Sequence, residues 1–523
     1  MTITGEAIIG GVQERGGAGS FQAWNPTTRA HMEPGFHMVT PEQIDRACAL
    51  AGAAFDTFRA TSDEQRARFL DAVAEQILAI GDELIERAMA ESGLPRVRLE
   101  GERMRTVGQL RMFATLLREG SWTDPRMDTA LPERTPPRPD LRMRLIGVGP
   151  VAVFAASNFP LAFSVAGGDT ASAFAAGCPV VLKAHSAHPG TSELVGRAVS
   201  KAVAACGLPA GVFALLTGTG NGIGQRLVAN DAIQAVGFTG SRSGGVALMA
   251  VAAARKQPIP VYAEMSSINP VFLLPQALAH RAEEIGKGFA ASLTLGVGQF
   301  CTNPGLVLAI EGEGLETFVK AASEALSASQ CAVMLNQNIA DSYRKGVEAL
   351  AANEAVTTLA RLDHQEGKGG AAFFRVSADA FLDRHELHDE VFGPASVLVV
   401  CRDADQLRAV AEALEGQLTA TLQIDAGDID AARALLPTLE RKVGRILANG
   451  YPTGVEVSTA MVHGGPFPST ADGRSTSVGT GAIARFLRPV CYQNLPFQLL
   501  PDALRDGNPL GIWRRRDGAL TKD

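Results

Sequence analysis

From Val151 onward the chain alternates short apolar runs with alanine-rich stretches, and this alternation constrains its fold more than any other feature. Val151 to Ala156, Pro179 to Leu182, Val212 to Leu216 and Ala235 to Phe238 read as buried strands. Between them, Ala166 to Gly177, Gly190 to Cys206 and the stretch opening at Gly224 read as helices. Strands separated by helical crossovers form a parallel sheet covered on both faces, so the fold class is α/β. A second series, at Val271 to Leu274, Leu306 to Ile310, Ser396 to Val400 and Leu418 to Ile424, predicts a second α/β unit. With 523 residues, two or three domains are expected, because one hydrophobic core does not grow to that size.

Pro41 to about Leu117 reads as helical. Thr40 is placed as an N-cap with proline at the first helical position. The cluster Thr135-Pro136-Pro137-Arg138-Pro139 breaks the pattern and marks a crossover between units. Ala484 to Leu500, with Phe486, Val490, Tyr492 and Phe497, reads as a late strand followed by a loop, placed to pair outside its own unit.

The net charge of −7 gives no footing for a nucleic-acid partner. The apolar runs are too short to span a bilayer, and the first residues do not form a secretory leader, so a cytoplasmic protein with no membrane partner is expected. Seven scattered cysteines without a C-x-x-C pair fit a reducing compartment and predict no zinc site. The pairs His185/His188 and His385/His388 have no third ligand nearby in sequence, so no metal is expected.

Three residues stand where chemistry could be done. Cys301 lies between Gly296, Gly298 and the turn Asn303-Pro304-Gly305, an exposed frame that suits a nucleophilic thiol better than a structural one. Glu264 ends a strand, where a half-buried carboxylate with a raised pKa can act as a base; taken alone it reads rather as a surface glutamate near a turn. Asn158 follows the strand at Val151 and reads either as an oxyanion donor or as a helix N-cap. The glycine-rich Thr217 to Gly224 lacks the spacing of a dinucleotide fingerprint. Phe238-Thr239-Gly240-Ser241, followed by Gly244 and Gly245, fits a phosphate-holding strand-to-helix turn better.

Together these segments resemble the aldehyde dehydrogenase family, over roughly Trp24 to Pro489. The motifs stand in family order: Ser157-Asn158-Phe159-Pro160, Lys183, Phe238 to Ser241, Glu264, Gly298-Gln299-Phe300-Cys301, and Glu390-Val391-Phe392-Gly393-Pro394. The resemblance implies a Rossmann-like cofactor domain (1–128 and 146–256), a catalytic domain (257–483) and a bridging β arm (129–145 and 484–500) that joins a homodimer or homotetramer. It implies oxidation of an aldehyde with NAD(P)+ through a thioester on Cys301, with Glu264 activating water and Asn158 holding the oxyanion. Lys183, His185, Ser186, Gly240, Ser241, Gly245, Glu390 and Phe392 would hold the cofactor.

Ser186 stands where many NAD-using members carry a glutamate, which leaves room for a 2′-phosphate and favours NADP, while Asn221 replaces an arginine of some NADP-preferring members. Ser266 and Ser267 replace two glycines usual after the base. Ala263-Glu264-Met265-Ser266-Ser267, together with His463-Gly464-Gly465-Pro466-Phe467-Pro468-Ser469-Thr470 and Phe486-Leu487-Arg488-Pro489-Val490, resembles the branch of 2-oxoglutarate semialdehyde (2,5-dioxopentanoate) and NADP-linked long-chain aldehyde dehydrogenases. The first substrate predicts a cation in the pocket, for which Arg105 is the choice, with Phe159, Phe163, Thr302 and Phe467 completing the pocket. The second predicts an apolar tunnel. A catalytically silent binding protein on the same fold is the third reading.

Overall fold

The computed structural model describes residues 2–523. The expected helical region resolves into four helices, Pro41–Arg59, Asp63–Ile80, Asp82–Ser92 and Arg96–Glu119. The first opens on a capping box: the Thr40 side chain accepts from the Gln43 N–H while the Gln43 side chain accepts from the Thr40 N–H. Ser62 and Gln65 repeat the device on the second helix.

The first apolar series builds a seven-stranded sheet. Its parallel strands run in the order Val261–Glu264, Ala235–Thr239, Val151–Phe154, Val180–Lys183, Phe213–Leu216, and the hairpin Ala7–Ile9/Val12–Glu14 is added antiparallel at the last edge. The strand order switches between Val151–Phe154 and Ala235–Thr239, which pair in parallel, so the carboxyl ends of these two strands open a crevice suited to a ligand. The core is packed on one face by Phe58, Phe69 and Phe174, whose rings meet edge to face.

The second series forms another seven-stranded sheet: Thr357–Arg361, Ala372–Ser377, Ala395–Cys401, Leu306–Ile310, Val271–Leu273, Gln417–Gln423, Val443–Ala448. It is parallel except at Thr357–Arg361. One expected boundary moves. Val261–Glu264 belongs to the first sheet through parallel pairing with Val236 to Thr239, not to the unit expected to start at 257. Glu264 therefore hangs from the first sheet, while Cys301 precedes a strand of the second.

The bridging element also differs from the expected stretches. Leu487–Gln493 pairs antiparallel with Leu141–Gly147, which continues into Arg126–Asp128 and the C-terminal strands Arg514–Arg516 and Ala519–Thr521. Residues after 500 thus complete a five-stranded sheet. No described helix is long and apolar enough to cross a membrane.

Candidate active site

Cys301 sits in the turn after a short 3₁₀ segment, Leu295–Gly298. It is half-buried, not fully exposed as its glycine frame predicts. Gly298 explains that frame: at φ +62° a side chain is strained, and a Cβ would stand 2.4 Å from the Gly393 carbonyl carbon. The nucleophile turn is pressed directly on the loop carrying Glu390 and Phe392, and Asn303 Nδ2 donates to the Gly393 carbonyl at 3.0 Å.

A polar staple fixes the same turn from the other side. Asn269 is fully buried with φ +47°, a region asparagine tolerates. Its Nδ2 donates to the carbonyls of Cys301 and Asn303, both at 2.9 Å. Its Oδ1 accepts from Ser267 Oγ and Thr419 Oγ1. Gln417 Oε1 accepts from the Ser267 hydroxyl and the Ile268 N–H. The serine replacing the second expected glycine after Glu264 is therefore part of the frame joining base loop to nucleophile turn.

Glu264 is 4% exposed, so it is no surface glutamate. Its Oε1 is 2.8 Å from His463 Nε2, and its Oε2 accepts from Ser477 Oγ at 2.8 Å. Burial alone would raise its pKa as expected, but the His463 contact and the bonds from His463, Ser477 and Cys301 outweigh it and hold the carboxyl below its ordinary value. The raised pKa expected for this base is thus corrected to a lowered one. Cys301 goes the other way. Burial first, then the adjacent Glu264 charge, pushes its thiol well above the ordinary range.

His463 escaped the sequence reading as a site residue. It is 1% exposed, and its Nε2 also lies 3.4 Å from Cys301 Sγ. Its Nδ1 is buried without a partner, and an ionised carboxylate only accepts, so the ring proton sits on Nε2 and points at Glu264. The loop arrives here because Met265 N–H donates to the Ser469 carbonyl and Ala471 N–H to the Ala263 carbonyl, continuing the strand that ends at Glu264. The only signal in the sequence is the segment His463-Gly464-Gly465-Pro466.

Asn158 Nδ2 donates to the Gln299 carbonyl at 3.2 Å, which places the amide beside the nucleophile turn and not at a helix cap. The buried Glu102 holds this segment by accepting from the N–H groups of Leu161 and Ala162 at 2.8 and 3.0 Å. A cavity of about 350 Å³ leads to Cys301, lined among others by Arg98, Arg105, Phe159, Phe163, Thr302 and His463. Arg105 Nη1 donates to the Val455 carbonyl at 2.9 Å, and its guanidinium lies 5.6 Å from the Phe163 ring centre. Arg98, not singled out in the sequence, lies 4.4 Å over Phe159 and 3.4 Å from Glu102. Arg103 and Arg111 point elsewhere, to the Gly81 carbonyl and to Glu75. Phe467 is a correction: it is 52% exposed and lies by Arg242, outside the residues lining this cavity.

A second groove, about 430 Å³, opens at the switch in strand order of the first sheet, lined by Lys183, His185, Gly220, Asn221, Gly240, Ser241 and Gly244 among others. The helix Arg242–Ala253 points its N-terminus there, capped by Ser241 Oγ, which accepts from the Gly244 N–H. Burial lowers the Lys183 pKa to about 8, which leaves it mostly charged at neutral pH. His185 departs from expectation as a source of positive charge, because burial, His188 and Lys183 hold its pKa well below the ordinary value. Gly245 is also corrected. It is buried, and a Cβ there would meet Met265 Sδ at 2.6 Å, so it lets the helix pack on the Glu264 strand while Gly244 faces the groove. Ser186 lies in the turn before the helix Pro189–Ala205, whose N-cap is His188, so it does not cap that helix.

Glu390 and Phe392 lie together on the loop that packs on Gly298. Burial pushes the Glu390 carboxyl up to about 7, against opposing bonds from the Ser266 side chain and the Ser267 backbone. Of the histidine pairs, His188 is bonded to the Ala156 carbonyl and Ser192, and His388 to the Phe381 carbonyl. Among the described residues, the group of three potential metal ligands is instead Glu264, Cys301 and His463.

The aldehyde dehydrogenase family model matches residues 13–486. The chain is 58% identical to alpha-ketoglutaric semialdehyde dehydrogenase 2 of Azospirillum brasilense, over 99% of both chains. It is 48% identical, again over 99% of both, to the alpha-ketoglutaric semialdehyde dehydrogenase of Acinetobacter baylyi. The fold matches the aldehyde dehydrogenase KauB of Pseudomonas aeruginosa (TM-score 0.81, 19% identity, 94% of this chain and 97% of that one). It also matches aldehyde dehydrogenase C of Pseudomonas syringae, solved with NAD+ and octanal (TM-score 0.78, 22% identity, 94% and 97%). With a family model spanning most of its length and full-length relatives at these identities, the chain belongs to the aldehyde dehydrogenase family and is an oxidoreductase acting on aldehydes.

Proposed function

We propose that the chain oxidises 2,5-dioxopentanoate, the semialdehyde of 2-oxoglutarate, to 2-oxoglutarate. The observation carrying this reading is the pair Arg98 and Arg105 in the cavity that ends at Cys301. A guanidinium can grip a carboxylate with two parallel bonds. Arg105 spends one nitrogen on a backbone carbonyl and has no carboxylate partner of its own, which leaves its charge available to a substrate. The 58% identical relative, an alpha-ketoglutaric semialdehyde dehydrogenase, supports the same substrate. Phe159, Phe163 and Phe300 would hold water away from the chain of the substrate, and they also favour the second reading, a long-chain aldehyde. A silent binding protein would have no need of the Cys301, Glu264 and His463 cluster.

In this mechanism the Cys301 thiol passes its proton toward the ionised Glu264 as the sulfur attacks the aldehyde carbon. Asn158 donates to the resulting oxyanion. Lys183, Gly240, Ser241 and Glu390 would hold a nicotinamide dinucleotide, which would supply the hydride acceptor. Once Glu264 has released the first proton to solvent, it takes a proton from the water that attacks the thioester, the Cys301 sulfur leaves as the thiolate, and His463 and Ser477 orient that carboxylate. NADP+ is favoured over NAD+ because Ser186 brings no carboxylate to repel a 2′-phosphate and Lys183 brings charge. The Leu487–Gln493 strand is an edge with one free side, the place for pairing between copies in a homodimer or homotetramer.

The test compares Arg105→Met and Arg98→Met with the parent on 2,5-dioxopentanoate and on hexanal, with each cofactor. A carboxylate clamp loses kcat/KM by roughly 10²-fold on the keto-acid and little on hexanal. Equal losses on both substrates would put the long-chain reading first. A many-fold higher kcat/KM with NAD+ would refute the cofactor preference.

A further inference from the structure

The three polar groups that carry the chemistry also form a coordination set. Cys301 Sγ, His463 Nε2 and a Glu264 carboxylate oxygen all lie within 4.8 Å of one another. The measured separations are 3.4 Å from sulfur to nitrogen and 2.8 Å from nitrogen to oxygen. Around a tetrahedral zinc the corresponding edges are about 3.5 Å and about 3.3 Å, from bonds of about 2.3 Å to sulfur and about 2.0 Å to nitrogen and oxygen. The sulfur-to-oxygen separation is within 4.8 Å, against a tetrahedral edge of about 3.5 Å, so the flexible side-chain ends would have to adjust by up to about 1.3 Å in all. One thiolate, one imidazole and one carboxylate leave a fourth position, which faces the cavity that both Cys301 and His463 line. A second observation points the same way: His463 is 1% exposed, and its Nδ1 has no partner, so no hydrogen bond fixes the ring proton from behind.

We propose that Cys301, His463 and Glu264 form a reversible inhibitory site for a thiophilic divalent cation such as Zn²⁺. Binding replaces the thiol proton, which leaves to solvent, and moves the ring proton from Nε2 to Nδ1 so that the Nε2 lone pair reaches the metal. Two anionic ligands and the dication sum to zero, so the site stays neutral overall although Arg98 and Arg105 stand nearby. The metal occupies the sulfur lone pair that attacks the aldehyde and the carboxylate that receives the proton, so the loaded enzyme cannot turn over. Neither histidine pair in the sequence, His185/His188 or His385/His388, takes part; the site is made by tertiary contact alone.

The proposal is read with Co²⁺ as a spectroscopic probe, on the full-length, cofactor-free enzyme in a non-chelating reductant. One Co²⁺ per chain is expected, with a thiolate-to-metal charge-transfer band in the near ultraviolet and the intense visible bands of four-coordination. Cys301→Ala abolishes the charge-transfer band, which separates this site from Cys331 and Cys491. His463→Asn weakens binding on the order of 100-fold, as expected for losing one of three ligands. Zn²⁺ displaces Co²⁺, blocks turnover, and a chelator restores it fully. An unchanged affinity in His463→Asn, a band that persists in Cys301→Ala, or no band at stoichiometric Co²⁺ overturns the site. Should either variant misfold, alkylation decides on the parent: one equivalent of Zn²⁺ protects Cys301 from iodoacetamide, and undiminished modification overturns the proposal. Apart from the turnover assay, none of these readouts needs a substrate, so they stand or fall apart from the choice of aldehyde.

Discussion

Asn269 Nδ2 donates to the backbone carbonyl of Cys301 at 2.9 Å, tying the loop that follows Glu264 to the turn that carries Cys301. The same amide also reaches the Asn303 carbonyl. Base and nucleophile hang from different sheets, so this contact sets the register between them.

Asn269→Ala leaves two buried carbonyls without this donor, at a cost of about 1–3 kcal/mol each. A drop in kcat of on the order of 10²-fold is expected with KM for the cofactor nearly unchanged, because the groove by Ser241 is not built on Asn269. Steady-state kinetics with thermal unfolding checks this. A parent-like kcat in a folded variant would remove Asn269 from the positioning frame.

Gly298→Ala is expected to be severe for a different reason. The new Cβ would overlap the Gly393 carbonyl and sit on a left-handed backbone, so the nucleophile turn and the Glu390 loop must separate. A loss of about 2–4 kcal/mol is expected, from strain and lost packing together. Urea unfolding at constant m measures it.

Much of this arrangement was legible in the chain itself. Cys301, Glu264 and Asn158 each stand at the end of an apolar run beside Gly, Ser or Pro, so local punctuation marks them. His463 also stands beside Gly464-Gly465-Pro466, but that mark does not say what it meets: its place comes from the bridge between Thr470 and Glu264, which only the folded chain makes. Phe467 misleads from the same loop: its aromatic character fits a pocket wall, but its backbone turns it outward. Gly245 misleads because a glycine beside a phosphate turn serves helix packing equally well. The strand Arg514–Arg516 shows no apolar alternation; Arg514 is nonetheless buried, its guanidinium donating to the carbonyls of Arg505 and Asp523.

The Glu264–His463 contact sets a pH dependence. Glu264 must be ionised to act, so activity falls as pH drops through its pKa, which lies below the ordinary carboxylate value. In His463→Phe the largest opposing influence on burial is gone, and the pKa rises. The acid limb of kcat against pH is expected to move upward. An unmoved limb would mean that Ser477 and Cys301 suffice to hold the carboxylate charged. Glu264→Gln removes the base entirely and should leave a stoichiometric burst of reduced cofactor with little turnover.

Glu390 offers a test of the cofactor site that does not depend on turnover. Its carboxyl is pushed up to about 7 by burial, so in the cofactor-free enzyme it is half protonated at neutral pH. Two ribose hydroxyls donate best to the ionised form. Cofactor binding therefore favours loss of the proton and pulls the pKa down. By linkage the apparent Kd tightens as pH rises through about 7 and levels off above it, with a span on the order of tenfold between the two limits. The stability sign is opposite. A carboxyl whose folded pKa is raised favours the native state at low pH, and that contribution is lost as pH rises from the unfolded value near 4.5 through about 7. Glu390→Gln should flatten both curves, binding with one weaker, pH-independent Kd and unfolding at a higher temperature than the parent at pH 8. Fluorescence titration with the cofactor and thermal unfolding, each from pH 5.5 to 8.5, would show it. If the parent Kd is flat across this range while Glu390→Gln still weakens binding, the carboxylate is already ionised in the free enzyme, and the Ser266 and Ser267 bonds outweigh its burial.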